Sequence, residues 1–189
     1  GKGRVTFIGT WAGFDTEAHR AFYGKLLERS DARLRNATSD NGFIITRERF
    51  TGDGRGLLFV ANYYNEELNG GVTYTHPATG ESVSLPLDGG GILWPPLRAI
   101  LTPLCMQLAE GLTMLHSTSD LLAWRKEGYE ITLTLSGDRD LPGETVLEGP
   151  GTVRIRRVEI SGVAAEIKLI RGRKVITYSH AHGEEMELR

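Results

Sequence analysis

A chain of 189 residues is long enough for one sizeable core or two small ones. Its 40% hydrophobic and 24% charged residues suit a folded protein, and a formal net charge of −2 gives no electrostatic case for nucleic acid or an anionic membrane as partner. The one cysteine, Cys105, excludes an internal disulfide framework and, set in an apolar run, reads as a buried, inert thiol.

The first residues read as the continuation of a longer chain, so the lack of a signal-peptide pattern leaves the compartment open. No stretch approaches the roughly 20 apolar residues of a membrane span. Arg4–Thr10 reads as a short buried strand. Asp15 and Thr16 are N-cap candidates for a helix in which Ala18, Ala21, Phe22, Leu26 and Leu27 recur at helical spacing. A strand and a helix are half of an α/β unit, so residues 1–30 are expected to be the end of such a domain, docked on the β-region beyond it or self-associating.

From Leu34 onward the pattern is β. Residues 43–50 and 56–64 flank Thr51-Gly52-Asp53-Gly54-Arg55, a hairpin signal. Residues 71–76 and 81–85 flank Pro77-Ala78-Thr79-Gly80, a second one. Ile92-Leu93-Trp94 precedes Pro95-Pro96, which makes that stretch an edge or crossover segment. A leucine-rich run from Gly111 leads to Trp124, expected to plug one end of the fold, and then to an alternating strand over 129–135. Residues 137–151 read as a loop with one short strand at Thr145-Val146-Leu147. Residues 152–160, 163–170 and 174–179, with links at Ser161-Gly162 and Arg171-Gly172-Arg173, predict a β-meander, and Met186–Arg189 starts a further strand. The fold expected is mainly β, an antiparallel sandwich of Ig-like or jelly-roll type over 31–150. Residues 151–189 either complete the sandwich or open a further β-domain.

Candidate chemistry is sparse. His180 and His182, two apart with Glu184 and Glu185 nearby, would share one strand face, but a third ligand at a recognised spacing is missing, so no metal site is assigned. His116, Ser117 and Asp120 supply the residue types of a hydrolytic triad without its geometry, and no G-x-S-x-G elbow surrounds Ser117 or Ser119. Glycoside hydrolysis needs two carboxyl groups flanking the scissile bond, and Glu66 and Glu67 beside Tyr63-Tyr64 are the nearest approach to an aromatic–carboxylate cluster. No catalytic residue and no cofactor is assigned. Sugar faces stack on aromatic rings, which makes Trp11, Tyr74 and, foremost, Tyr63, Tyr64, Trp94 and Trp124 candidates for carbohydrate binding against the ordinary role of core packing.

The segment GLTMLHSTSDLLAWRK, followed by an alternating strand and a Gly-rich turn, resembles a non-catalytic β-sandwich of β-galactosidases of glycoside hydrolase family 35, with likenesses to family 42. LLFVANYYNE is similar to a strand of the same sandwich, and GKGRVTFIGT to the last strand of the α/β domain that precedes the terminal β-domain in family 42. The catalytic glutamates of those enzymes lie outside this segment. The resemblance implies an accessory domain inactive by itself, with the catalytic domain of a parent glycosidase as partner. A carbohydrate-binding module and a small complete glycosidase are the alternatives.

Overall fold

The computed structural model describes residues 5, 7, 17–29, 36–137, 141–150, 155, 157–180 and 185–189. The chain divides into two units, Gly1–Asn36 and Ala37–Arg189. In the first, the expected helix is α1 (Glu17–Arg29); the expected strand over 4–10, the N-caps and Trp11 lie outside the described residues, except Val5 and Phe7.

The second unit is built from antiparallel strands. In chain order they are β1 (Ala37–Ser39), β2 (Ile44–Phe50), β3 (Gly56–Asn62), β4 (Leu68–Gly70), β5 (Val72–Thr75), β6 (Ser82–Leu85), β7 (Ile92–Trp94), β8 (Arg98–Leu104) and β9 (Met106–Ala109). Beyond them come β10 (Leu112–Ser117), β11 (Asp120–Glu127), β12 (Glu130–Ser136), β13 (Pro142–Glu148), β14 (Glu159–Ile160), β15 (Val163–Ala164), β16 (Ile167–Ile170), β17 (Arg173–Ser179) and β18 (Glu185–Leu188). They pair in the orders β1-β5-β6, β4-β7, β2-β3-β8, β16-β17-β13-β10-β9 and β11-β12-β18-β14-β15, a mainly β, sandwich-type architecture.

The five-stranded sheet around β13 is the middle layer. Leu115, Val146 and Val175 on one face join a core with Leu58, Val60 and Ile100 of β2-β3-β8 and with Val72, Val83 and Leu85 of β1-β5-β6. Met114, Leu147 and Ile176 on the other face join a second core with Leu133, Leu135, Met186 and Leu188 of the sheet that contains β12. A sheet covered on both faces loses the polar/apolar alternation of a half-exposed one, and β10 and β13 are accordingly buried along almost their whole length.

The hairpins obey local turn chemistry. Thr51 N–H donates to the Arg55 carbonyl at 2.8 Å and Gly54 takes φ +85° between β2 and β3. Ser161-Gly162 (φ 48° and 83°) and Arg171-Gly172 (φ 50° and 79°) both have positive φ at the two central positions, the twist that a two-residue hairpin needs.

Ile92–Trp94 is the edge segment expected: it forms β7, paired with β4 in a two-stranded sheet. Three expectations need correction. The 137–151 loop contains the seven-residue central strand β13, whose start at Pro142-Gly143 disguises it. The terminal strands do not form one meander: β16 and β17 pair with β13, whereas β14 and β15 join β18 and β12. Trp124 does not plug the fold; it lies on β11, an edge strand, with 43% of its surface exposed. Trp94 takes the interior role instead: it is wholly buried and its indole Nε1–H donates to the Gly70 carbonyl at 2.9 Å.

The two tryptophans therefore separate in a urea titration. Trp94→Ala is expected to cost about 3–5 kcal/mol of stability. Trp124→Ala, which removes a half-exposed ring, is expected to cost less than about 1 kcal/mol.

Candidate functional site

The middle sheet buries polar side chains on both faces at the end where β10 runs out and β13 begins. On the second-core face they form one chain. His180 Nδ1 lies 2.9 Å from the Leu141 carbonyl, which only accepts, so Nδ1 carries a proton, and in the Nδ1–H tautomer Nε2 offers a lone pair. Ser119 Oγ, 2.6 Å away, donates to it. Tyr178 Oη at 2.8 Å then donates to Ser119, Thr145 Oγ1 at 2.8 Å to Tyr178, and Ser117 Oγ at 3.1 Å to Thr145. The Ser119 backbone N–H closes the run onto Ser117 Oγ at 3.1 Å. Each hydroxyl donates once, and the direction is set by one carbonyl. Burial pushes the Tyr178 phenol above its ordinary value, partly offset by the hydroxyls of Ser117, Ser119 and Thr145, so it stays protonated and remains a donor.

Two glycines seat the rings of this chain. A Cβ on Gly143 would stand 2.1 Å from Tyr178 Cδ2, and one on Gly137 would stand 2.2 Å from His180 Cδ2. The rings lie directly on the backbone, where any other residue would displace them.

On the first-core face, His116 is buried between Tyr74 and Glu144. Its Nδ1 is 3.1 Å from Tyr74 Oη and its Nε2 is 3.2 Å from Glu144 Oε1. Glu144 Oε1 also accepts the Leu87 N–H at 2.9 Å. Burial raises the Tyr74 phenol far above its ordinary value, which keeps the proton on Oη.

A groove of about 790 Å³ opens between the β2–β3 turn at Asp53–Arg55, His76 after β5, Cys105, Gln107, Lys126 and Glu148. Two of its carboxylates, Asp53 and Glu148, are engaged. Arg55 is bound to Asp53, and its hydrogen bonds hold the Asp53 carboxyl well below the usual carboxylate range. Arg173, buried beside the groove, grips Glu81 with both terminal nitrogens at 3.0 and 2.7 Å and Glu148 through Nε at 3.1 Å. Glu148 Oε2 also faces His76 Nε2 at 3.7 Å, and His76 Nδ1 accepts the N–H groups of Ala78 and Thr79. Cys105 is half-buried rather than fully buried, and burial first and then Glu148 push its thiol up to about 11.

The candidate residues fall apart in space. His116 and Ser117 are neighbours on β10 and point to opposite faces of the sheet, while Asp120 Oδ1 accepts the Leu101 N–H at 2.7 Å, so no triad assembles. His180 has both ring nitrogens engaged, and His182 and Glu184 lie outside the described residues; among the described residues no group of three ligand-type side chains could hold a metal ion. Glu66 and Glu67 are exposed. Of the aromatic candidates, Trp94 and Tyr74 are enclosed in the core and offer no face to a sugar. Tyr63 and Tyr64 are 57% and 43% exposed, but adjacent positions send them to different neighbours: Tyr63 to Phe59 (centroids 6.4 Å apart) and Tyr64 to Phe43 (5.2 Å).

Sequence reasoning misses the Ser119–His180 pair. Its signals are present: a hydroxyl run Ser117-Thr118-Ser119, a Tyr178-x-His180 spacing that puts both rings on one strand face, and glycines at 137 and 143. Its geometry is that of a serine and its base. Burial decides against attack on a substrate, since Ser119 has 0% of its surface exposed.

No protein-family model matches the sequence, and no curated protein matches it.

Two measurements test this arrangement. Tyr178→Phe leaves Ser119 and Thr145 short of a partner and is expected to lower stability by about 1–3 kcal/mol, and Gly143→Ala should also destabilise the fold by moving the ring. The Cys105 thiol ionises ordinarily near 9.0 but near 11 in the fold, so between those values the unfolded chain has lost a proton that the folded one keeps. Its contribution to stability is intact below that window and falls as pH rises through it. Cys105→Ala should flatten the loss of stability measured by urea unfolding across the window.

Proposed function

We propose that this chain is a non-catalytic accessory β-domain of a β-galactosidase-like glycoside hydrolase, supporting the catalytic domain or its assembly. The observation that carries the reading is the inward commitment of reactive groups. Ser117, Ser119, His116, His180 and Glu144 are buried and hydrogen-bonded within the fold, and two of the groove carboxylates, Asp53 and Glu148, are held by arginines. A glycosidase needs one carboxyl group free to protonate a leaving group and a second, about 5–9.5 Å away, to attack or to activate water. The likeness of GLTMLHSTSDLLAWRK and LLFVANYYNE to the sandwich of family 35 supplies the class of parent.

A carbohydrate-binding module is the second reading, favoured by the exposed rings of Tyr63, Tyr64 and Trp124. Calorimetric titration with galactosides and β-glucans separates the two, because a binding module loses its heat signal when one of those rings becomes alanine and an accessory domain has none to lose.

The natural reading frame tests the first reading directly. It is expected to encode a glycosidase barrel in the same polypeptide, and the 189-residue chain is expected to leave a chromogenic β-galactoside intact. A frame without such a domain, or turnover abolished by replacing one carboxylate of this chain, overturns it.

A further inference from the structure

The β2-β3-β8 sheet is apolar on both faces, though only one of them meets a core. Directly opposed residues of neighbouring strands share a face. Inward, the register brings Thr46, Val60 and Ile100 into line, and Val60 and Ile100 belong to the first core. Outward, it forms three rows: Ile45–Ala61–Ala99, Arg47–Phe59–Leu101 and Arg49–Leu57–Pro103. Tyr63 extends the β3 row beyond Ala61 and lies against Phe59. Leu57 is 48% and Leu101 49% exposed. A sheet with one wet face normally turns polar side chains to water. Here the wet face carries leucines, aromatic rings and a proline, and its charges are two arginines on the edge strand β2. Arg47 donates to the Thr46 carbonyl at 2.9 Å, and neither arginine pairs with a carboxylate among the described residues. Aromatic residues and arginine beside exposed leucines are what protein interfaces favour.

We propose that this face docks a neighbouring domain of the same polypeptide, one that presents apolar side chains to Leu57, Phe59 and Leu101 and carboxylates to Arg47 and Arg49. The proposal rests on the accessory-domain reading. Area selects the occupant. Three strands of seven residues cover roughly 14 Å by 24 Å, less than half of the ~800 Å² per partner of a stable free complex. A second copy meeting this face would lack that area and would also bring arginines rather than the missing carboxylates. A tethered domain needs less, because a short linker holds its local concentration near the millimolar range.

Hydroxyl-radical footprinting reads side-chain exposure residue by residue. Oxidation of Leu57, Phe59, Tyr63 and Leu101 is expected to fall several-fold in the complete reading-frame product relative to the 189-residue chain. Arg47→Glu with Arg49→Glu should restore it there without moving the melting midpoint of the 189-residue chain. Unchanged oxidation in a product that does contain a second domain overturns the docking and leaves the accessory reading standing. A reading frame with no second domain removes both. A 189-residue chain that sediments as a dimer with these four residues protected replaces the tethered domain by a second copy and overturns the proposal.

Discussion

Burying one sheet on both faces sets the terms for everything around it. The strands β10 and β13 have almost no wet side, so each polar atom they bury must find a partner inside the protein or cost the fold its full desolvation penalty. Along most of their length the problem is avoided with Leu115 and Val146 on one side and Met114 and Leu147 on the other. At one end it is solved instead, by a chain of hydroxyls that ends on a histidine and a backbone carbonyl. Hydroxyl groups suit that task, since each both donates and accepts and can pass the direction of bonding along.

The same constraint explains the two ring-bearing glycines. A hydroxyl chain works only when its members stay within about 3 Å of one another, which fixes where the Tyr178 and His180 rings must lie. Gly143 and Gly137 remove the Cβ atoms that would occupy that space. Gly143 stands in a strand, where glycine ordinarily weakens the ladder; its place there is explained by the ring of a residue on the neighbouring strand β17.

Local causes are legible in the sequence and distant ones are not. The hairpin at Thr51–Arg55 and the tight turns at Ser161-Gly162 and Arg171-Gly172 depend on residues within a few positions, and their residue types declare them. The mainly β, sandwich-type class can be read from the same alternation and turn pattern. The strand β13 escapes such a reading because Pro142 and Gly143 look like a loop until Tyr178 is placed beside them. Trp124 is misplaced for a similar reason: Leu121-Leu122 suggests burial, while a place on an edge strand decides otherwise. Ser119 and His180 are 61 positions apart, and the short interval between His180 and His182 draws attention to a metal instead.

Beyond these buried polar groups, the unit meets other molecules at its surface. Most of that surface is ordinary: β11 shows Arg125, Lys126 and Glu127 to water, and Glu187 with Arg189 forms an exposed ion pair of small energetic weight. The outer face of β3 differs. Leu57 and Phe59 stand where a solvated strand would carry threonine or lysine. Asn62 at the end of the strand is buried and clamps the adjoining turn, donating to the Glu66, Trp94 and Pro95 carbonyls and accepting the Tyr64 N–H. Rigid support beneath an apolar face lowers the entropic cost of covering it, since fewer side chains and loops have to be ordered on contact. The clamp at Asn62 and the hydroxyl chain in the middle sheet thus act to one end. They hold a scaffold in a single arrangement, and the part of it that departs from a solvated design is the part already held still.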